Sequence, residues 1–145
     1  MKSLRLLVVG LMVALSACVW RPDPDKHARE FFDEGRDMIM STLKKQDASE
    51  AQLQAAKAVL QRNKPTLPPE IADVLRKQQA LFRGITSGQD SATLTRLEAD
   101  LHQSNEKAVL AIGHMHEELA TAVGDKTWKA TTADLERRWA KHVSE

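Results

Sequence analysis

Beyond residue 24, the apolar positions of this chain recur every three or four residues, the period of an amphipathic α-helix. No stretch there shows the period of two that predicts a half-buried strand. We therefore expect an all-α domain of residues 25–145, folded as a helical bundle or a curved helical hairpin around one long helix near 91–123. The pattern predicts five helices, over about residues 24–45, 50–63, 69–83, 91–123 and 125–142.

Capping residues support the predicted helix starts. Asp23 precedes Pro24, the order expected of an N-cap followed by proline at the first helical position. Ser49 and Gln52 have the spacing of a capping box, in which each side chain bonds the other residue's backbone N–H. Ser91 is predicted to cap the long helix in the same way.

Glycines and one polar pair interrupt the apolar pattern. Gly84 is predicted to stop the third helix and Gly124 the fourth, because glycine favours the turn that follows a helix. Ser104-Asn105 breaks the apolar stripe of the long helix. That break predicts a bend or a buried polar contact at this point.

The first 17 residues follow a different pattern, typical of a secretory signal. Two basic residues precede an almost wholly apolar run over 6–14, which is too short to cross a bilayer. Cys18, the only cysteine, follows directly. The sequence Leu15-Ser16-Ala17-Cys18 resembles the lipobox of bacterial lipoproteins. This resemblance implies that Cys18 receives a diacylglyceryl group, that the signal is cut before it, and that the new amine is acylated. The alternative is an ordinary signal with an incidental cysteine.

The lipobox implies attachment to a membrane through acyl chains, since several chains on one residue give lasting anchorage. By the sorting rules of such lipoproteins, Val19 in place of Asp implies the outer membrane and its periplasmic face. Residues 18–24 would then be the lipidated cysteine and a short tether, with a reach of about 20 Å at roughly 3.3 Å per residue. Trp20 in this tether is predicted to lie either at the membrane interface or against the domain.

Charge and composition exclude some partners. Removing residues 1–17 removes two of the 21 basic side chains and none of the 20 acidic ones, which leaves 19 against 20. A balance near zero argues against nucleic acid as a partner, because a nucleic-acid binder needs a basic face. With its single cysteine lipidated the chain has no disulfide, so its stability must come from helix packing.

A pentapeptide before the second helix resembles the Leu-Thr-x-x-Gln signature of the periplasmic stress proteins Spy and CpxP; it is Ala48-Ser49-Glu50-Ala51-Gln52. The layout of helices agrees over about 29–125. The chain departs from that pattern where Ala48 replaces Leu, and it lacks the second signature expected near 123–127. The family would imply a curved helical protein, often a dimer, that binds unfolded chains or a sensor kinase. A related branch binds metal ions.

One segment is dense in metal-ligand side chains: His114-Met115-His116-Glu117-Glu118. His114 and Glu118 are four apart and share a helix face, but His116 points away from His114, so the two histidines cannot chelate one ion together. We expect Met115 in the core with the histidines at its edge. No metal or other cofactor is predicted beyond the covalent lipid; His114, His116 and Glu118 are the candidates should a metal bind with help from another helix.

The sequence predicts binding rather than catalysis, because it shows no nucleophile motif and no Gly-rich phosphate loop. The expected partner is another polypeptide, bound in a chaperone-like role during envelope stress. The alternatives are a pilotin-like adaptor for a secretion or cell-wall system, and a metal-responsive periplasmic sensor. A homodimer is another use of the same surface. The large apolar side chains predicted to form it are Phe31, Phe32, Met38, Phe82, Trp128 and Trp139.

Overall fold

A computed structural model describes the backbone of residues 23–143 and the side chains of 23–138. Within that range the chain forms helices and no strand, which confirms the all-α prediction. None of these helices is both long enough and apolar enough to cross a membrane. The predicted signal, Cys18 and the tether before Asp23 lie outside the described residues. The helices are α1 (Pro24–Lys45), α2 (Glu50–Asn63), α3 (Leu67–Thr86), α4 (Ser91–Val123) and α5 (Asp125–Val143).

The long helix α4 is the common neighbour of the bundle. It forms a hairpin with α3, and it also packs against α2 and α5. Helix α1 lies against α3, α5 and α2. The arrangement is a bundle in which every helix packs against at least two others.

The interior divides into two apolar clusters, one at each end of α1. The first joins α1, α3 and the middle of α4; it contains Ala28, Phe32, Leu67, Ile71, Ala72, Val74, Leu75, Ala108 and Ile112. The second joins the end of α1 to α2, α4 and α5; it contains Leu43, Ala56, Val59, Leu60, Leu119, Val123 and Trp128. Met115 of α4 packs against both clusters, as predicted for a core residue.

The helix caps confirm most of the local signals. Asp23 accepts a hydrogen bond from the Lys26 N–H, and Ser49 and Gln52 form the complete capping box. The prediction for α4 was one residue off, because Asp90 rather than Ser91 is the N-cap. Its carboxylate accepts from the Thr93 N–H, and this hydrogen bond lowers the pKa of Asp90 below its ordinary value.

The two predicted ends of α3 were both wrong by a few residues. The helix begins at Leu67, because Pro68 and Pro69 fit in its first turn, where the backbone N–H groups have no intrahelical acceptor. It continues through Gly84 to Thr86. Gly84 serves close packing instead of termination, since a Cβ there would lie 2.9 Å from Leu97 Cδ1 of α4. Gly124, with φ of 85°, does end α4 as predicted.

The polar break in the stripe of α4 is a buried contact. Ser104 is buried and its hydroxyl donates to the carboxylate of Asp73 on α3. Arg76 lies one turn further along α3, with its guanidinium 3.9 Å from the same carboxylate. The contact satisfies a polar group inside the helix interface, as the Ser104-Asn105 interruption predicted.

Candidate functional site

The structure divides the residues predicted for an apolar binding surface. Phe32 and Trp128 are each 5% exposed and belong to the two clusters, so the prediction that they form an exposed surface was wrong. Phe31, Met38 and Phe82 are half-buried. The side chain of Trp139 lies outside the described residues. These six residues therefore do not form one patch.

The candidate metal ligands on α4 point in different directions. The side chain of His114 is 76% exposed, and its Nδ1 lies 3.9 Å from the Glu117 carboxylate. Glu118 accepts a hydrogen bond from the Asn63 amide at 3.1 Å and pairs with Arg62 at 3.4 Å. Among the described residues, no three His, Cys, Asp or Glu side chains converge in a way that could hold an ion.

His116 turns inward, toward α5. Its imidazole meets the Trp128 indole edge to face, with 5.3 Å between ring centroids and 70° between the planes. Burial of this ring lowers the pKa of His116 below its ordinary value of 6.5, against the smaller raising effect of Glu117. The neutral imidazole is thus the form that suits the packed interface.

A groove lies between α2 and α4. Its volume is about 530 Å³ and it is open to solvent. The floor is built of small apolar side chains, and polar and charged side chains stand at the rim. The residues that line it are Ala55, Ala58, Val59, Arg62, His114, Glu117, Glu118, Thr121 and Ala122.

The sequence explains why a groove forms between these two helices. Val59 and Leu119 turn into the second cluster, which draws α2 and α4 together. The positions just outside that contact are alanines, whose single methyl groups leave space between the helix backbones. A second helix laid in this space can approach closely, because interaxial distance depends on side-chain size at the contact.

Leu110 of α4 is 63% exposed and lies near the groove. Its spacing from His114, Glu117 and Thr121 is four, seven and eleven residues, which places all of them on one helix face. Leu110 was not among the surface residues predicted from the sequence. Its position midway between Ala108 and Ile112, two residues from each, was the available signal, since such a position faces away from the buried stripe.

Gln52, the last residue of the pentapeptide Ala48-Ser49-Glu50-Ala51-Gln52, makes hydrogen bonds both within that segment and to the end of α4. Its amide oxygen accepts from the Ser49 N–H, while its Nε2 donates to the Val123 carbonyl and lies 3.4 Å from Thr127 Oγ1. One side chain therefore joins the start of α2 to the end of α4 and the start of α5. Its distant partners, Val123 and Thr127, bound the segment in which the resemblance to Spy and CpxP would imply a second signature.

Comparison of this chain with protein-family models, with curated proteins and with solved structures gave no match. The interpretation of the groove therefore rests on its own geometry and chemistry. The groove has apolar floor atoms, a mixed-charge rim and one large exposed leucine nearby, and these features suit contact with a polypeptide surface.

Proposed function

We propose that this protein is a lipid-anchored binding module, held at the periplasmic face of the outer membrane, whose helical domain binds one helical segment of another polypeptide. The anchor is supported by the lipobox that ends at Cys18 and by the short basic and apolar run before it. The binding role is supported by the groove between α2 and α4.

The observation that carries the binding proposal is the alanine floor of that groove beside exposed Leu110. An amphipathic helix recognises such a groove with apolar side chains spaced three or four residues apart. Arg62 and Glu118 at the rim offer both signs of charge, which can fix the direction of the bound helix. Leu110 would extend the apolar contact along α4.

The groove favours an adaptor over a general chaperone. A chaperone-like binder of many unfolded chains needs a broad apolar face, whereas the apolar lining here is interrupted by charged side chains. A groove with charged side chains in its lining selects one partner, because a wrong partner leaves those charges desolvated and unpaired. The role proposed is therefore that of a pilotin-like adaptor that holds one protein near the membrane.

Removing the anchor tests the localisation. Cys18→Ser should yield an unprocessed or mislocalised protein, because the thiol is the group that would receive the lipid. Fractionation of membranes and mass spectrometry of the N-terminus measure this. Recovery of the serine variant from the outer membrane at the parent level would contradict the lipoprotein proposal.

Filling the groove tests the binding. A photo-crosslinking residue at Leu110 should capture one dominant partner in intact membranes, and Ala58→Arg should abolish that capture by blocking the floor. Ala99→Arg, the same change at an exposed alanine of α4 outside the groove, is the matched control and should leave capture unchanged.

Two other outcomes would replace the adaptor role. Suppression of client aggregation at near equal molar amounts, without one dominant crosslink, would restore the chaperone-like role. Tight metal binding that is lost in His114→Ala, without any polypeptide partner, would favour the sensor instead.

A further inference from the structure

The charges in the lining of the α2–α4 groove are not all balanced. Glu118 accepts a hydrogen bond from the Asn63 amide at 3.1 Å and lies 3.4 Å from the Arg62 guanidinium, so its charge is compensated within the fold. The side chain of Glu117 is 80% exposed. Among the described residues, the basic group within 4 Å of its carboxylate is His114 Nδ1, at 3.9 Å and thus beyond hydrogen-bond distance. Glu117 is therefore the lining carboxylate that can accept a counter-charge from an occupant.

The groove has an apolar end and a charged end. Helices α2 and α4 run antiparallel, because Gln52 near the start of α2 donates to Val123 at the end of α4, while Asn63 at the end of α2 donates to Glu118. The small lining residues lie nearer the first contact; they are Ala55, Ala58, Thr121 and Ala122. The charged and imidazole side chains lie nearer the second; they are Arg62, His114, Glu117 and Glu118.

The small residues leave room for a large apolar side chain. Each alanine side chain ends at its Cβ, and the groove encloses about 530 Å³. The Thr121 hydroxyl donates to the Glu117 carbonyl of its own helix at 3.0 Å, so its one hydrogen is already used. In helix packing, a large side chain of one helix inserts among about four residues of the facing surface. We therefore expect this end of the groove to receive a side chain such as leucine.

One helical turn separates the apolar end from the Glu117 carboxylate. Thr121 lies four residues after Glu117, and residues four apart on a helix are about 5–6 Å from each other. A bound helix presents two side chains at that separation when they are three or four residues apart. An acidic side chain at this spacing would face Glu117 with like charge, which costs affinity, whereas a basic one would pair with it.

We propose that the groove selects a helix in which a lysine or arginine lies three or four residues from a large apolar anchor. The anchor inserts between Ala58 and Thr121, and the basic side chain pairs with Glu117. This inference rests on the proposed function, which assigns a helical segment of another polypeptide to the groove, and it adds the chemistry of that segment. Glu117 is then the residue that determines specificity.

Synthetic helices test the proposal with the full chain in phosphatidylcholine nanodiscs. The probes are fluorescent peptides of about 15 residues, stapled because helices of this length are marginal in water. The first carries a central leucine with a lysine four residues to either side, so that either direction of binding offers a lysine to Glu117. The second has glutamates in place of the lysines, and the third has alanine in place of the leucine. In fluorescence anisotropy, with empty nanodiscs as the blank, the first should bind about tenfold more tightly than either of the others.

Substitutions in the protein supply the reciprocal readout. Glu117→Lys should reverse the preference, so that the glutamate probe binds more tightly than the lysine probe. Glu106→Lys is the matched control, an exposed glutamate of α4 that does not line the groove. It should keep the parent preference, because its distance of about 16 Å along the helix exceeds the Debye length of about 8 Å at physiological ionic strength. Ala58→Arg should abolish binding of every probe by blocking the apolar end.

Four results would overturn the proposal. Equal affinity for the lysine and glutamate probes, lost for both in Ala58→Arg, would leave the groove as a helix site without this selectivity. A preference for lysine that survives Glu117→Lys would show that another charge selects the partner. Absence of binding by all probes would refute the proposed chemistry, and capture from Leu110 would then test the proposed function separately. Native mass spectrometry that finds two chains per particle in the parent and one in Ala58→Arg would assign the groove to a second copy.

Discussion

The two halves of α4 carry similar apolar stripes and have different surroundings. Leu94, Leu97 and Leu101 in the first half are all half-buried, and α3 is the helix that packs beside them. In the second half, Ile112 and Leu119 are buried among side chains of four other helices. A leucine on a helix stripe is thus buried only where a third or fourth helix closes over it.

Ser104 marks the boundary between these halves. The first half is part of a two-helix hairpin, which can cover at most one side of each stripe. The second half lies within a bundle, where apolar surface is removed from water on several sides. We therefore expect the second half of α4 to contribute most to stability. The first half keeps apolar surface that is available for contacts.

The largest expected difference between the halves is the cost of truncating a leucine. Leu119→Ala should lower the free energy of unfolding by about 2–5 kcal/mol, because Leu119 is fully buried in the second cluster and leaves a cavity. Leu94→Ala should cost roughly 1 kcal/mol, since its site is half-exposed and can fill with water. Denaturant unfolding of both variants measures this. Equal losses would refute the comparison.

A second prediction concerns the support of the buried half by Gln52. Gln52→Ala should lower the free energy of unfolding by about 1–2 kcal/mol, because it removes the capping box and the donor to the Val123 carbonyl together. Gln54→Ala is the matched control on the same helix, where only an exposed bond to Glu50 is lost. If both variants unfold alike, Gln52 does not hold the three helices together.

The contact at the boundary should have a smaller effect. Ser104→Ala should cost about 1 kcal/mol, because Asp73 loses its hydroxyl donor but keeps solvent and Arg76 as neighbours. Hydrogen exchange should show the loss as faster exchange in the outer hairpin than in the second cluster. Uniformly faster exchange along α4 would show that the two halves open as one unit.

The smallest expected effect is the pH dependence from His116. Burial lowers the pKa of His116 in the folded protein, so the unfolded chain takes up the proton first as pH falls. The stabilising contribution of the neutral His116 ring is present above about pH 6.5 and is lost as the pH falls through the lowered pKa of the folded protein. Tm measured between pH 7.5 and 5 should therefore fall less in His116→Gln than in the parent.

Capping residues and the apolar period predicted most of the helix bounds. The predictions failed where contacts between residues far apart in the sequence decide the structure. The starts of α1 and α2 follow from Asp23 and the capping box, whose partners are three residues away. Gly84 was mistaken for a stop because glycine usually ends a helix. The reason it continues lies on α4, where Leu97 needs the space that a Cβ would occupy.

The candidate site was less predictable than the fold. Phe32 and Trp128 were predicted to lie on the surface, because the first, third and fifth helices each carry an apolar stripe and the long fourth helix can cover only part of them. In the structure both residues are buried in the core, and Leu110 is exposed instead. The alanine-lined groove has no sequence signature, because alanine is also the ordinary filler of a helix surface.

What the sequence by itself determined is the helical class and most of the helix bounds, because both depend on neighbours a few residues apart. Only the tertiary structure decided which stripe is buried on two sides, where Gln52 reaches, and that His116 turns inward while His114 does not. Those outcomes depend on which helices meet. The hydrophobic effect has no direction, so an apolar stripe favours burial against any apolar surface. Which helix covers it is decided by the packing of the whole chain.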